Sequence, residues 1–393
     1  MQQLRTVKVG DVCERVRNCN PAIDVEESLF TYIDIASVDK DLKAIIGENK
    51  IRGLDAPSRA RQVVKTNDVL VSTVRPNLNG VAFVKPTYDG AIASTGFCVL
   101  RPDQKHLSPT YLYYWVQSKA FVDEMVKKAT GANYPAVSDS IVKNERIPLF
   151  DLDTQRHIAA VLDRVDALRQ KDRQLLAYYE QLPQAVFLEM FGDPVRNEKG
   201  WERGKIRDLI TEAKYGTSKP AEMGGTYPYL RMNNITYTGR WDLSDLKYIN
   251  LDEKEEAKYL AEKGDLLFNR TNSRELVGKT AVYHFDYPMA IAGYLVKAKT
   301  NARAVPEYIS AYLNSKHGKG ILLNMCKSII GMANINAQEF QDIAIPIPPV
   351  ELQREFAEIV HHAEMHVQKV NEQLTASESL FQSLLHEYFG RKA

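Results

Sequence analysis

His362 and His366 stand one helical turn apart in His-His-Ala-Glu-Met-His, residues 361–366, with Glu364 between them, which is the spacing of a zinc-binding pair. A zinc hydrolase needs its glutamate directly after the first histidine and a third ligand downstream, but Ala363 occupies that place. The segment is therefore expected to be a polar helix face. Asn20-Pro21-Ala22-Ile23 approaches the Asn-Pro-Pro-aromatic site of amino-methyltransferases, yet it lacks the second proline and the ring that would stack on an extruded base. No glycine-rich cofactor loop precedes it, no Gly-x-x-x-x-Gly-Lys-[Ser/Thr] phosphate loop occurs, and no carboxylate cluster of the nuclease type stands out. Cys13, Cys19, Cys98 and Cys326 have no metal-ligand spacing and are expected to be free thiols in a reducing cytoplasm. Neither cofactor nor metal is expected, and the chain is not expected to be an enzyme.

The histidine-bearing helix has a counterpart earlier in the chain. Residues 146–192 align with 344–390 at a constant offset of 198 without a gap, and 14 of the 47 pairs are identical, among them Gln155/Gln353, Arg156/Arg354, Leu182/Leu380, Gln184/Gln382, Phe191/Phe389 and Gly192/Gly390. A period of that size is a whole domain, because solenoid repeats run to roughly 20–50 residues. The match continues more weakly outside the helices: 66–84 answers 263–283, 108–119 answers 305–316, 32–38 answers 229–235, and the glycine-bearing stretch 130–138 answers 330–337. The order of elements is the same in both halves while the polar residues mostly differ, which suits two modules doing one kind of job on different targets.

In the repeated helix, Ile158, Val161, Val165, Leu168, Asp172, Leu175, Tyr179, Leu182 and Val186 follow a three-four alternation, as do Phe356, Val360, Ala363, Val367, Val370, Leu374, Ser377, Phe381 and Leu384 in the second copy. Both read as seams of the coiled-coil type. The first helix should run from about Gln155 to Leu182, roughly 42 Å at 1.5 Å per residue, with Pro183 kinking it or starting a short final helix. Each stripe must be buried, and the other copy is the obvious partner. An antiparallel pair, which sets the two modules at opposite ends, needs no special linker.

At 393 residues the chain has room for two or three domains. It contains no apolar run of 18 residues, so no transmembrane span is expected, and its first residues do not read as a signal peptide. The net charge of +1 divides unevenly: 20 Lys/Arg against 17 Asp/Glu in 1–150, 22 against 19 in 193–348, but 5 against 7 and 4 against 7 in the helical segments 151–192 and 349–393. If the partner is a polyanion, the globular parts face it and the helices face something else.

The order globular domain, long helix ending in Phe-Gly, globular domain, long helix resembles the specificity subunit of type I restriction–modification systems. The residues that carry the resemblance are the junctions at 147–168 and 345–364, the turns at 67–76 and 264–271, and the helix ends at 182–192 and 380–390, so it covers essentially the whole chain. It implies a non-catalytic DNA reader in a restriction endonuclease and adenine methyltransferase complex. Each variable domain would read one half of a bipartite, asymmetric duplex DNA target, and the paired helices would set the gap and recruit two modification (methyltransferase) subunits. Restriction (translocase and nuclease) subunits would join through the complex, in the cytoplasm and away from any membrane. Modules about one DNA turn apart, near 34–36 Å, fit helices of that length.

The fold expected is mixed α/β of the α+β kind with an internal pseudo-two-fold repeat. It comprises target-recognition domains 1–150 and 193–348 and spacer helices 151–192 and 349–393. Each domain should hold a twisted sheet of short strands and one packed helix, near 108–129 and 305–317, with Ser108 as N-cap and Pro109 as first helical residue. DNA contacts are expected in the polar turns: Arg59, Arg61, Arg75, Asn77 and Asn79 in the first domain, and Lys214, Tyr215, Lys219, Asn269, Arg270, Asn272, Arg274 and Lys279 in the second. Arginine can hold guanine through two bonds and asparagine adenine, while lysine and hydroxyls more often hold phosphate. Val186, Phe187, Phe381 and Leu385 are expected to face outward from the helix pair toward the modification subunits. A two-ended coiled-coil scaffold without nucleic-acid binding is the alternative, and a steep fall of DNA affinity with salt would separate the two.

Overall fold

Val69–Ser72 is buried at every position because the strand has a core on each face: Val69 and Val71 pack in one cluster with Cys98 and Leu100, Leu70 in another with Phe97 and Val99. Leu266–Asn269 repeats the arrangement, with Leu266 and Phe268 on one side and Leu267 on the other. The computed structural model describes residues 5–47, 49–326 and 332–390. These gather into two units, one formed by residues 1–174 with 371–393 and the other by Leu175–Val370.

In the first unit the sheet containing Val69–Ser72 runs Cys13–Glu14, Phe97–Pro102, Val69–Ser72, Val81–Phe83, and a second runs Lys50–Arg52, Leu29–Ile33, Ile92–Ser94, Ala60–Val63. The other unit has Ile210–Tyr215, Leu295–Thr300, Leu266–Asn269, Thr280–Val282, and then Lys247–Ile249, Tyr227–Leu230, Met289–Ile291, Leu260–Ala261. Leu29–Ile33 with Ile92–Ser94, and Tyr227–Leu230 with Met289–Ile291, are parallel pairs at the same place in both. The duplication read from the sequence is thus a duplication of topology.

The packed helix expected over 108–129 is two helices, Pro109–Trp115 and Lys119–Lys128, and its counterpart is Pro306–Asn314 and Lys316–Met325. Serines make the breaks. The hydroxyl of Ser118 accepts the Phe121 N–H at 3.3 Å and that of Ser315 the Gly318 N–H at 3.1 Å, so each starts a new helix. Ser108 occupies the N-cap position before Pro109, but its hydroxyl makes no cap bond.

The long helices are Leu152–Phe191 and Val350–Phe389. The expected interruption at Pro183 does not occur. Proline cannot donate to the carbonyl four residues back, and here the Arg240 Nη2 donates to the Tyr179 carbonyl at 3.2 Å while Nη1 reaches Glu180 at 3.0 Å. The freed acceptor is satisfied from outside the helix, which continues. Within the first unit the two helices run antiparallel: Arg169 lies 4.2 Å over the Phe381 ring and Arg173 bonds Glu378 at 2.7 Å. Within the second unit Tyr179 stacks on His366 at 4.9 Å and Phe191 meets Phe356 edge to face at 5.3 Å, again antiparallel.

The buried stripe of the first helix is displaced from the expected seam. Ile158 and Val165 are buried as expected, but Leu162 and Phe187 are buried in place of Val161 and Val186, and Leu168 is exposed. In the second helix the expected positions Phe356, Ala363, Val370 and Phe381 are buried, with Leu385 taking over from Leu384 at the end. Phe187, Phe381 and Leu385 therefore do not face outward. Phe187 packs with Phe191, Tyr308 and Phe356, Phe381 and Leu385 join the core around Tyr111 and Leu162, and Val186 is half-buried against the Phe187 cluster. Large apolar side chains pointing at the modules are taken up by the modules' own cores.

The repeated Gln-Arg pair also has a physical account. Gln155 is fully buried: its Oε1 accepts the Ser108 N–H at 2.9 Å, and its Nε2 donates to the carbonyls of His106 at 3.0 Å and Phe150 at 2.8 Å. Gln353 makes the same three bonds, to Val305 N–H at 3.0 Å, Arg303 carbonyl at 3.1 Å and Pro348 carbonyl at 2.8 Å. Each glutamine ties the start of a long helix to the start of the helix packed beneath it. Arg156 and Arg354 make exposed pairs with Asp153 and Glu351, which contribute little.

Candidate nucleic-acid interface

In the first unit the polar turns converge on the backbone of residues 94–96. The Thr95 N–H donates to the Arg59 carbonyl at 2.8 Å and the Thr73 N–H to the Gly96 carbonyl at 2.9 Å, so the loops carrying Arg59 and Arg75 emerge at one edge. Arg75 and Asn79 bracket the short turn Pro76–Leu78, and both adopt left-handed backbone, with φ of 50° and 46°. Such a conformation costs a non-glycine residue on the order of 1 kcal/mol or more and persists only where the surroundings hold it. Here the Arg75 N–H donates to the Pro135 carbonyl at 2.7 Å, and the Asn79 Nδ2 donates to the Val116 carbonyl at 3.0 Å.

That bond decides between two expected contacts. Arg75 is exposed, whereas Asn79 also receives the Lys43 ammonium on its carbonyl at 2.6 Å and is half-buried, so its side chain holds the turn to the protein. Burial lowers Lys43 to about 8. Asn77 is exposed at the tip of the turn, Arg59 is exposed, and Arg61 is half-buried with Nη1 donating to the Ala60 carbonyl. Tyr134, which the sequence did not single out, lies under Arg75 with the guanidinium carbon 4.8 Å from the ring centre. It stands in the glycine-bearing stretch whose Ala136 bridges Val74. Arg75 and Tyr134 border a concavity of about 280 Å³ that also reaches Lys40, Ser72 and Phe97.

The second unit builds the same edge on residues 292–294. The Arg270 N–H donates to the Tyr294 carbonyl at 2.9 Å and the Gly293 N–H to the Thr217 carbonyl at 2.7 Å, bringing the loops of Arg270 and Lys219 together. Arg270 lies 4.6 Å over the ring of Tyr215, whose hydroxyl accepts the Ala337 N–H at 2.9 Å. Residues Thr271–Asn272 pair with Ala333–Asn334, as Val74 does with Ala136, although Ile330 and Gly331 of the matching stretch lie outside the described residues.

Two of the expected contacts there point inward. Asn269 is fully buried, its Nδ2 donating to the Met232 carbonyl at 3.3 Å, and Lys279 is buried with Nζ on the same carbonyl at 2.7 Å. Burial lowers the Lys279 pKa. Both side chains are committed to the protein interior. Lys214 is exposed in an ion pair with Glu212, and Lys219 is exposed and paired with Glu255 at 2.5 Å. Asn272 is half-buried with Oδ1 accepting the Ser273 N–H at 2.8 Å, and Arg274 is exposed.

Cys13, Cys19, Cys98 and Cys326 are free. Among the described residues no group of three or more His, Cys, Asp or Glu side chains is placed to hold a metal ion, and no helix is long and apolar enough to cross a membrane. The edges combine cations, amides and exposed rings, a set suited to holding phosphate and base edges.

The family model for the type I restriction modification DNA specificity domain matches residues 1–177 and 198–376. The chain is 26% identical over 318 residues to the specificity subunit of the type I restriction enzyme EcoKI of Escherichia coli (strain K12), spanning 75% of this chain and 67% of that subunit. It is 25% identical over 319 residues to the StySPI specificity subunit of Salmonella potsdam, with the same shares of 75% and 67%. Among solved structures, a chain from a study of complex assembly and conformational transition in the type I R-M system superposes with a TM-score of 0.60 at 25% identity, covering 98% of this chain and 97% of that one. The type I restriction–modification S subunit from M. genitalium does so with a TM-score of 0.60 at 14% identity, covering 99% and 96%, a likeness of fold.

Proposed function

This chain belongs to the type I restriction–modification DNA specificity family, and on that premise we propose that it is the DNA-reading subunit of a type I restriction–modification complex. Residues 1–150 and 193–348 each read one half of a bipartite duplex target, while the helical segments 151–192 and 349–393 set the separation of the halves. The chain supplies recognition and no catalytic group. Methyl transfer belongs to modification subunits, two of them, and cleavage to restriction subunits that join through the complex, in the cytoplasm. The observation that carries this reading is one topology built twice with different polar residues on the same edge: Arg59, Arg75 and Asn77 in one unit, Lys219 and Arg274 in the other. A scaffold without DNA has no use for that divergence and is not favoured.

Since Phe187, Phe381 and Leu385 are buried, the modification subunits are assigned instead to the exposed apolar residues of the long helices, Leu168, Tyr178, Leu188, Ile359, Met365 and Leu380. The test is to map methylation in DNA from a host carrying this chain and a modification subunit of its own system. A single bipartite motif with an undefined gap supports the reading. The same modification subunit methylating identically without the chain would refute it.

A further inference from the structure

Arg75 on Tyr134 and Arg270 on Tyr215 are similar constructions in two states, built at corresponding edges on rings from different elements. Each guanidinium lies over a tyrosine face, 4.8 and 4.6 Å from the ring centre, in the residues just past the equivalent strands Val69–Ser72 and Leu266–Asn269. In the second unit the construction is closed. Arg270 Nη1 donates to the Gly293 carbonyl at 3.4 Å, its Nε is buried, the residue is half-buried, and the Tyr215 hydroxyl is held by the Ala337 N–H. In the first unit it is open: Arg75 is exposed, Tyr134 is 69% exposed, and no carboxylate pairs with Arg75 among the described residues.

An arginine stacked on a ring keeps its donor edge in one plane and loses little further freedom when that edge is used. The left-handed backbone at Arg75, held by its N–H bond to the Pro135 carbonyl, sets where the side chain starts. A phosphate contact would not need this orientation, since a mobile lysine serves as well. A planar, pre-aimed fork instead matches the O6 and N7 acceptors on the major-groove edge of guanine.

Resting on the DNA-reading function above, we propose that Arg75 reads a guanine in the half-site of the first unit, that Tyr134 is its positioning residue, and that the Arg270–Tyr215 pair is a structural strut. The test compares methylation motifs obtained with the modification subunit and wild-type, Arg75→Gln, Tyr134→Leu, Tyr134→Phe and Arg270→Gln chains. Arg75→Gln should cost roughly tenfold or more in discrimination at one G·C pair of one half-site, leaving the other half-site as specified as before. Tyr134→Leu, which removes no charge and serves if Arg75→Gln folds poorly, should relax the same pair, and Tyr134→Phe should restore it. Arg270→Gln should relax no base position. An unchanged motif with Arg75→Gln, or a uniform loss of methylation with every position still specified, overturns the assignment. Absence of any bipartite motif with the wild-type chain overturns instead the reading on which it rests.

Discussion

Gln155 and Gln353 each satisfy three backbone groups at a helix junction, and a buried group left without its partner costs about 1–3 kcal/mol. Replacing Gln353 by Ala should therefore lower stability by roughly 2–4 kcal/mol in urea unfolding, while Arg354→Ala, beside it but exposed, should cost under about 0.5 kcal/mol. A second residue makes stability depend on pH. Glu364 lies 3.6 Å from His284 Nε2 and shares a cavity with Glu180, Arg240 and Glu307, with His361 on the adjoining surface. Burial, and then the like charge of Glu307, raise it to about 7, with Arg240 pulling the other way. The folded chain thus keeps a proton that the unfolded chain releases near 4.3, so this contribution is complete below that value and is lost as pH rises through about 7. Glu364→Gln cannot lose it. The urea midpoint of the variant should gain on wild type between about pH 5 and pH 8, while His284, lowered by burial, contributes in the opposite direction. A pH-independent difference would place the proton elsewhere.

Among the elements, the first long helix offers a direct check on which stripe is buried. Leu162→Ala should cost about 2–5 kcal/mol because Leu162 is fully buried, whereas Leu168→Ala, at a position 54% exposed, should cost less than about 1 kcal/mol. Equal costs would restore the seam inferred from spacing. The sequence could not decide this register, because Val161 and Leu162 are adjacent and equally apolar, and Asp172 interrupts the stripe. Existence and pairing of the helices were legible because a gapless repeat of helical spacing has few other readings, whereas the run through Pro183 was not. The sheets were legible only as short apolar runs: their order depends on long-range pairing that leaves no local mark. Ser118 and Ser315 did mark their helix breaks, but a serine inside an amphipathic stretch reads equally well as a surface residue. At the candidate site, Arg75, Asn77 and Arg274 are exposed, whereas Asn79, Asn269 and Lys279 turn inward, since the side chains that suit a base edge also suit an unpaired backbone carbonyl. Tyr134 gave no signal, being a single ring amid glycine, asparagine and proline.

For the molecule as a whole, the proposal that the helices set the gap in the target predicts that half-sites and spacing separate under mutation. Seven residues inserted after Gln174 and seven after Val370 keep the seam in phase and add about 10.5 Å, or roughly three base pairs at 3.4 Å each. Methylation mapping should return both half-sites unchanged with a longer gap, and a changed half-site with the old gap would refute the ruler. The division of the chain also orders events at the ribosome. Leu175–Val370 is continuous, so that unit has all its parts once residue 370 has emerged. The first unit takes Phe381, Leu385 and Phe389 into the core around Tyr111, Ile158 and Leu162. Its N-terminal portion must therefore wait while about two hundred residues are added, on the order of 10–40 s at roughly 5–20 residues per second. A chain halted at Val370 should give a protease-resistant fragment from its second half and rapid cleavage of its first, so the module that is translated first is the last to be sealed.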